Sequence, residues 1–127
     1  LIILRGATTT NASVVLTSNG NAAGSTNQII VASDKLMAFQ GLLTGKQSGS
    51  ANFAAYTIVG TLVNNAGTVT MPTGTITLIG ADSIGLGTAA TLAADNTNKG
   101  LTVTSGNKTT TNIHWNCTIW CCEVLYA

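Results

Sequence analysis

Charged side chains are scarce in this sequence, and their scarcity argues against several classes of function. Only 7% of the 127 residues are Asp, Glu, Lys or Arg, against roughly a quarter in an average soluble domain. The net charge of +1 provides no basic surface for a phosphate backbone, so no nucleic-acid partner is expected. Aromatic residues make up 5% of the chain, and there is one proline and one histidine. Few side chains remain for catalysis.

Long apolar runs are also missing. No run approaches the roughly 18 residues that a membrane-spanning helix needs, so no membrane span is expected. The opening LIILRG is too short for the apolar core of a signal peptide, and the lack of an initiator Met indicates a processed chain or a fragment. The three cysteines all lie within residues 117–122. Because three thiols cannot all pair within one chain, they are predicted to be reduced.

What the sequence does contain is aliphatic residues separated by clusters of Thr, Asn, Ser and Gly. Short apolar runs recur about every ten residues, the spacing expected of an all-β sandwich or barrel. We predict a single domain over residues 1–127, an all-β, antiparallel β-sandwich of jelly-roll type. Only the segment 84–94, IGLGTAATLAA, could form a short helix. Pro72 is expected at a strand edge or turn. The predicted strands are Leu1–Arg5, Ser13–Ser18, Gln28–Ala32, Leu36–Gly45, Ala54–Val63, Thr68–Met71, Gly74–Gly80, Gly100–Ser105 and Asn112–Leu125.

The segment TNIHWNCTIWCCEV, residues 111–124, holds the single histidine, all three cysteines and both tryptophans. On a helix, His114, Cys117 and Cys121 would share one face at a spacing that suits zinc. On a strand, His114 and Cys122 would be about 26 Å apart, too far to share a metal. The β-branched and aromatic residues favour a strand, and no N-cap pattern precedes a helix. We therefore predict a strand and no metal site.

On that strand the side chains divide between two faces. One face carries Ile113, Trp115, Cys117, Ile119 and Cys121, which we predict to be the core face because free Cys behaves as a small buried hydrophobe. The opposite face carries His114, Asn116, Thr118, Trp120, Cys122 and Val124.

Catalytic patterns are weak. The stretch GLGTAA, residues 85–90, matches the glycine pattern of dinucleotide-binding turns, but no βαβ unit surrounds it. The four carboxylates form no close pair: Asp34, Asp82 and Asp95 are predicted to be turn residues, and Glu123 an interface or surface charge. We therefore expect no enzyme, no catalytic residues and no cofactor.

Four stretches together resemble a known family. They are LRGATTTNASVVLTSNG at the start, MAFQGLLTGKQSGSANFAAYTIVG in the middle, LTVTSG, and TNIHWNCTIWCCEV at the end. In this order they are similar to a β-rich domain of tailed-bacteriophage virion proteins, commonly the last domain of tail fibres, tailspikes and related appendages. The chain departs from the family pattern at His114, where an Arg is usual, and at its three cysteines, which partly replace small or branched residues.

The resemblance implies a non-enzymatic structural protein at the virion surface, homotrimeric and in contact with other virion proteins. The first hypothesis is a tail-fibre or tailspike domain for trimerisation and host attachment, in contact with a host-surface glycan. The second is a capsid decoration (cement) or head-fibre protein of the same fold. A third, unrelated hypothesis is a secreted carbohydrate-binding module or a pilus-like subunit.

The candidate contact residues follow from the exposed face of the last strand. We predict that Trp120, His114, Val124 and Tyr126 contact another subunit or a glycan, and Tyr56 is a further aromatic candidate for a sugar. A glycan site requires an exposed flat ring, whereas a subunit interface buries it. We favour the subunit interface for Trp120.

Overall fold

The computed structural model describes residues 1–9 and 11–125, and this part of the chain is all-β, with no helix. Every strand pairing is antiparallel. The predicted fold class, all-β and antiparallel, is confirmed. The strands are β1 (Ile2–Thr8), β2 (Ile29–Ile30), β3 (Lys35–Gln47), β4 (Phe53–Asn65), β5 (Thr68–Leu78), β6 (Thr91–Asp95), β7 (Gly100–Thr104) and β8 (Ile113–Leu125).

The strands form two sheets around one core. The larger sheet has five strands in the order β1-β8-β3-β4-β5, and the smaller has three in the order β2-β7-β6. Both sheets contribute to one cluster of buried side chains, to which the smaller sheet supplies Ile29, Leu101 and Val103. Each of the long strands β3 and β4 alternates buried and exposed residues, as expected when one face of a sheet is dry and the other wet.

The segment predicted as a strand over Ser13–Ser18 joins the two sheets instead. Thr17 exchanges backbone hydrogen bonds with Arg5 of β1, and the amide of Leu16 donates to the Val103 carbonyl of β7 at 2.8 Å. These contacts divide between two partner strands, so the segment forms isolated bridges and not a continuous ladder. The helix considered for residues 84–94 is also wrong, because β6 occupies the end of that segment.

Two local features shape the β4–β5 hairpin. Its turn residues Ala66 and Gly67 both have positive φ, at 50° and 89°, as a two-residue type I′ turn requires. The register then shifts between Thr61 and Val63, opposite Met71 and Pro72. A proline cannot donate a ladder hydrogen bond, and here it lies in the edge strand β5, as predicted. The predicted strands Thr68–Met71 and Gly74–Gly80 are therefore one strand with an irregularity between them.

Two glycines of the larger sheet lie directly opposite aromatic residues on the neighbouring strand. Gly45 lies opposite Trp115 in the β3–β8 pair, and a Cβ at Gly45 would come 2.6 Å from Cζ3 of the Trp115 ring. Gly60 lies opposite Phe39, and a Cβ there would come 2.6 Å from the Phe39 ring. In both pairs the missing side chain leaves room for an aromatic ring to lie over the strand.

We expect the Gly45→Ala substitution to destabilise the protein by about 1–3 kcal/mol, because the Trp115 ring must leave its position to admit the added methyl group. The matched control is Gly24→Ala in the loop before β2, where an added Cβ meets only Asn27 Oδ1 at 3.9 Å. Urea unfolding curves of the two variants measure the difference. Equal stability of the two variants would contradict the packing of Trp115 on Gly45.

Candidate functional site: the outer face of the five-stranded sheet

Strand β8 divides its side chains as predicted. Ile113, Trp115, Cys117 and Ile119 are buried, whereas His114, Asn116, Trp120, Cys122 and Val124 are exposed. Its position between β1 and β3 puts the exposed set near the middle of a broad sheet surface, which we call the outer face. The core-face prediction holds less well for Cys121, whose side chain is only half-buried, because the packing around β8 loosens after Ile119.

Large apolar side chains from four strands lie together on the outer face. Trp120 lies opposite Gln40 of β3, which in turn lies opposite Val59 of β4. One row away, Thr118 lies between Ile3 of β1 and Leu42 of β3. We call these side chains, together with Val124 two rows further along β8, the apolar patch. They are between 46% and 55% exposed: Ile3, Leu42, Val59, Trp120 and Val124.

Trp120 stands between two shallow grooves in this patch. The larger has a volume of about 490 Å³ and runs beside Val59 and Cys122 toward Thr73 of β5. The smaller, about 220 Å³, runs between Trp120 and Leu42 over Thr57. Both walls and floors are mostly apolar, so the grooves suit side chains of another protein surface better than a polar ligand.

The other aromatic candidates and His114 do not belong to the apolar patch. His114 is exposed, opposite Lys46 on β3 and Ala7 on β1. Six residues of extended strand put it about 20 Å from Trp120, so the two do not form one site. Tyr56 is buried, only 7% exposed, and is therefore wrong as a sugar-stacking candidate. The candidate Tyr126 lies outside the described residues.

Sequence reasoning found Trp120 and Val124 but missed Ile3, Leu42 and Val59. Each of the three occupies an outward position of a strand, where alternation predicts a polar residue. An apolar residue at an outward position was the sequence signal that could have identified these three residues. It could be used only once the inward phase of each strand was known, because a run such as GLL or TIV in the sequence fits either phase.

The three cysteines differ in how far solvent reaches their thiols, because Cys117 and Cys121 lie on the inner face of β8 and Cys122 lies on its outer face. Cys117 is fully buried, and burial raises the pKa of its thiol to about 12. Burial also raises the pKa of Cys121, an effect that the nearby N-terminal amine partly opposes. Cys122 is exposed, and all three cysteines are free. Within residues 1–9 and 11–125 no three His, Cys, Asp or Glu side chains form a group that could hold a metal ion.

The carboxylates serve local structure. Asp82 accepts hydrogen bonds from the amides of Ile84, Gly85 and Leu86 at 2.7–3.0 Å. Asp95 accepts from the amides of Thr97 and Asn98, and the hydrogen bond from the Asn98 amide is the main cause of its lowered pKa. Asp34 accepts from the Ala66 amide. Asp34 lies in a turn, as predicted. Asp82 lies in the loop after β5, and the prediction is wrong for Asp95, which is the last residue of β6 and caps the turn that follows it.

Glu123 pairs with Lys35 across the β3–β8 ladder at 3.2 Å. Both side chains are more than a third exposed, so solvent screens the pair and its contribution to stability is small. Glu123 is a surface charge in this structure.

Comparisons with known proteins add no relative from which a site could be transferred. No family model matches the chain, and no curated protein matches it either. Among the described residues, no helix is long and apolar enough to cross a membrane.

We expect the three thiols to react at very different rates with Ellman's reagent. Cys122 should react within minutes in the native protein, Cys121 more slowly, and Cys117 only after unfolding, because a buried thiol is neither accessible nor ionised near neutral pH. Labelling followed by peptide mass spectrometry measures each rate. Rapid native labelling of Cys117 would contradict the inward phase of β8.

Proposed function

We propose that this chain is a non-enzymatic structural domain of a tailed-bacteriophage virion surface, of the tail-fibre or tailspike type, and that it self-associates through the apolar patch. In this proposal the two sheets form a β-sandwich of jelly-roll type, and three copies assemble around a threefold axis. The observation that carries the proposal is the exposure of large apolar side chains from four adjacent strands on one sheet face. The order of the phage-like motifs along the chain supplies the virion context.

A patch of this kind is costly to leave in water. About half of a Trp side chain's roughly 250 Å² remains exposed at Trp120, and covering that area would contribute about 3 kcal/mol at 25 cal/mol per Å². The four aliphatic residues of the patch add to this gain. Monomeric soluble proteins rarely expose large contiguous apolar patches, and such patches mark interaction surfaces.

A second copy of the chain is the occupant that the chemistry favours. The rows around Trp120 consist of apolar residues, Gln40 and threonines, including the directly opposed pairs Thr57–Thr77 and Thr61–Thr73. A neutral surface meets its own copy without like-charge repulsion. The grooves beside Trp120 could receive side chains from the partner face. A charge-selective partner would instead need a complementary charge in this region, and the rows around Trp120 carry none.

We expect Trp120→Ala to shift the protein toward monomer, with a loss of about tenfold or more in association constant from the area lost at the interface. The fold should persist, because Trp120 lies on the outer face. Light scattering coupled to size exclusion at matched low protein concentrations measures the mass. Far-ultraviolet circular dichroism verifies that the variant keeps its strand content.

The matched control is Phe53→Ala. Phe53 is an aromatic of similar exposure, 51% against 48% for Trp120, at the start of β4. Six residues of extended strand put it about 20 Å from Val59, so its removal should change the mass distribution much less. A wild-type protein that stays monomeric at micromolar concentration would refute the interface. Equal effects of the two substitutions would refute its placement at Trp120.

The virion context has its own test. Antibody labelling of intact particles should locate the chain on a tail appendage, because the proposal places it there. Label on the capsid exterior would overturn the tail assignment in favour of a decoration or head-fibre protein. The absence of label from particles would overturn the virion role as a whole.

A further inference from the structure

Within residues 1–9 and 11–125, every Lys, Asp and Glu side chain makes a hydrogen bond inside the chain, and Arg5 is the exception among the charged side chains. Each carboxylate has a partner in the contacts described above. The lysines donate to Glu123 Oε2, Ser50 O, Asn96 Oδ1 and Ile84 O, at distances of 2.7–3.2 Å, from Lys35, Lys46, Lys99 and Lys108. Across residues 1–9 and 11–125, the Arg5 guanidinium alone among the Lys and Arg side chains has no acceptor.

Arg5 lies beside a hollow on the outer face, at the end away from Val124. The hollow has a volume of about 460 Å³ and is lined by Arg5, Gly6, Ala7, Gly20, His114, Trp115 and Asn116. Ala7 follows Arg5 on the same face of β1, and β8 sets His114 opposite Ala7 and Asn116 opposite Arg5. Arg5, Asn116 and His114 occupy three corners of this arrangement, and the fourth corner is the small side chain of Ala7, which takes up little of the space above the strands.

The spacing of the polar groups suits one small ligand. Paired strands lie about 4.8 Å apart, and same-face neighbours along a strand about 6.6 Å apart. The guanidinium, the imidazole and the Asn116 amide therefore begin from positions that one ligand group can span. All three side chains are exposed, so their hydrogen-bonding groups can turn into the hollow without leaving the core.

The electrostatics of the hollow favour an anion. Lys46 lies opposite His114 on the next strand, β3, and adds a second positive charge on this side of the sheet, although its ammonium group donates to the Ser50 carbonyl and does not line the hollow. None of the four carboxylates lines the hollow. A guanidinium presents a planar fork of N–H donors that matches the two oxygens of a carboxylate or phosphate, and imidazole and amide groups can donate beside it.

We propose that this hollow is a binding site for a single oxyanion group, a carboxylate or a phosphate, held by the fork of Arg5 and by donors from His114 and Asn116. The proposal does not depend on self-association, because all of the groups come from one copy of the chain. The site is shallow and open to solvent, so its affinity is modest and falls with ionic strength.

The test is a titration followed by amide chemical shifts in NMR, at low ionic strength. The ligands are glucuronate, inorganic phosphate and, as a neutral control, glucose. We expect saturable shifts at Ala7, Gly20 and Asn116 with the two anions and none with glucose. Tighter binding of glucuronate assigns the site to a sugar-borne carboxylate, and tighter binding of phosphate assigns it to a phosphate group.

Three variants distinguish a specific site from a general effect of net charge. Arg5→Gln should weaken binding about tenfold, the scale of one charge-assisted bidentate contact, and Arg5→Lys should fall between Gln and wild type because it keeps the charge and loses the fork. Lys99→Gln removes the same charge in the β6–β7 turn and should change the affinity less than about twofold, as expected for a screened distant charge. Thermal unfolding verifies that all three variants fold.

Absence of saturable shifts with both anions would overturn the proposal. Equal weakening by Arg5→Gln and Lys99→Gln would also overturn it, because net charge alone would then explain the binding. Neither result bears on the mass measured by light scattering for the wild type and Trp120→Ala, so the proposed function and this site can fail separately.

Discussion

The pairing of β3 with β8 is the constraint on which the rest of the structure depends. The two strands run antiparallel in continuous register from Lys35–Leu125 to Gln47–Ile113, and this ladder joins the β1–β8 pair to the β3–β4–β5 part of the larger sheet. A shift of one residue would reverse the faces of β8 and exchange Trp115 with Trp120. Glycines pin the register: a Cβ at Gly41 would collide with the Thr118 carbonyl, and one at Gly45 with the Trp115 ring.

That register divides the outer face into two regions of different chemistry. The region around Trp120 is apolar and free of charge, and the region toward His114 carries Arg5 of β1 and Lys46 of β3. Only 7% of the residues are charged, and in the part of the chain that the structure describes the other Lys, Asp and Glu side chains hydrogen-bond to turns and loops or form the Lys35–Glu123 ion pair. Turn aspartates such as Asp82 satisfy loop amides that would otherwise lack partners. The scarcity of charge therefore makes the unpaired Arg5 and the uncovered Trp120 stand out.

Part of the site could be predicted from the sequence. Alternation in the segment IHWNCTIW, residues 113–120, is a local property, so the phase of β8 and the exposure of Trp120 and Val124 followed from residues 113–124 alone. The neighbours of Trp120 could not be predicted. Leu42 and Val59 join it only through the order of the strands and the register of two ladders, which are set by contacts between residues far apart in the chain. Tyr56 was misassigned for the same reason, since its phase within β4 was unknown.

The sequence by itself determined the all-β class, because β-branched residues at regular spacing between Asn- and Gly-rich turns cannot bury a helical stripe. It also determined that Cys117 lies on the buried face of β8, because that assignment follows from the two-residue period of a strand. Only the tertiary structure decided that Ser13–Ser18 bridges two sheets, since its backbone groups are shared between β1 and β7. Only the tertiary structure decided that Arg5 has no acceptor among residues 1–9 and 11–125, because pairing depends on which side chains the folded chain brings within a few ångströms.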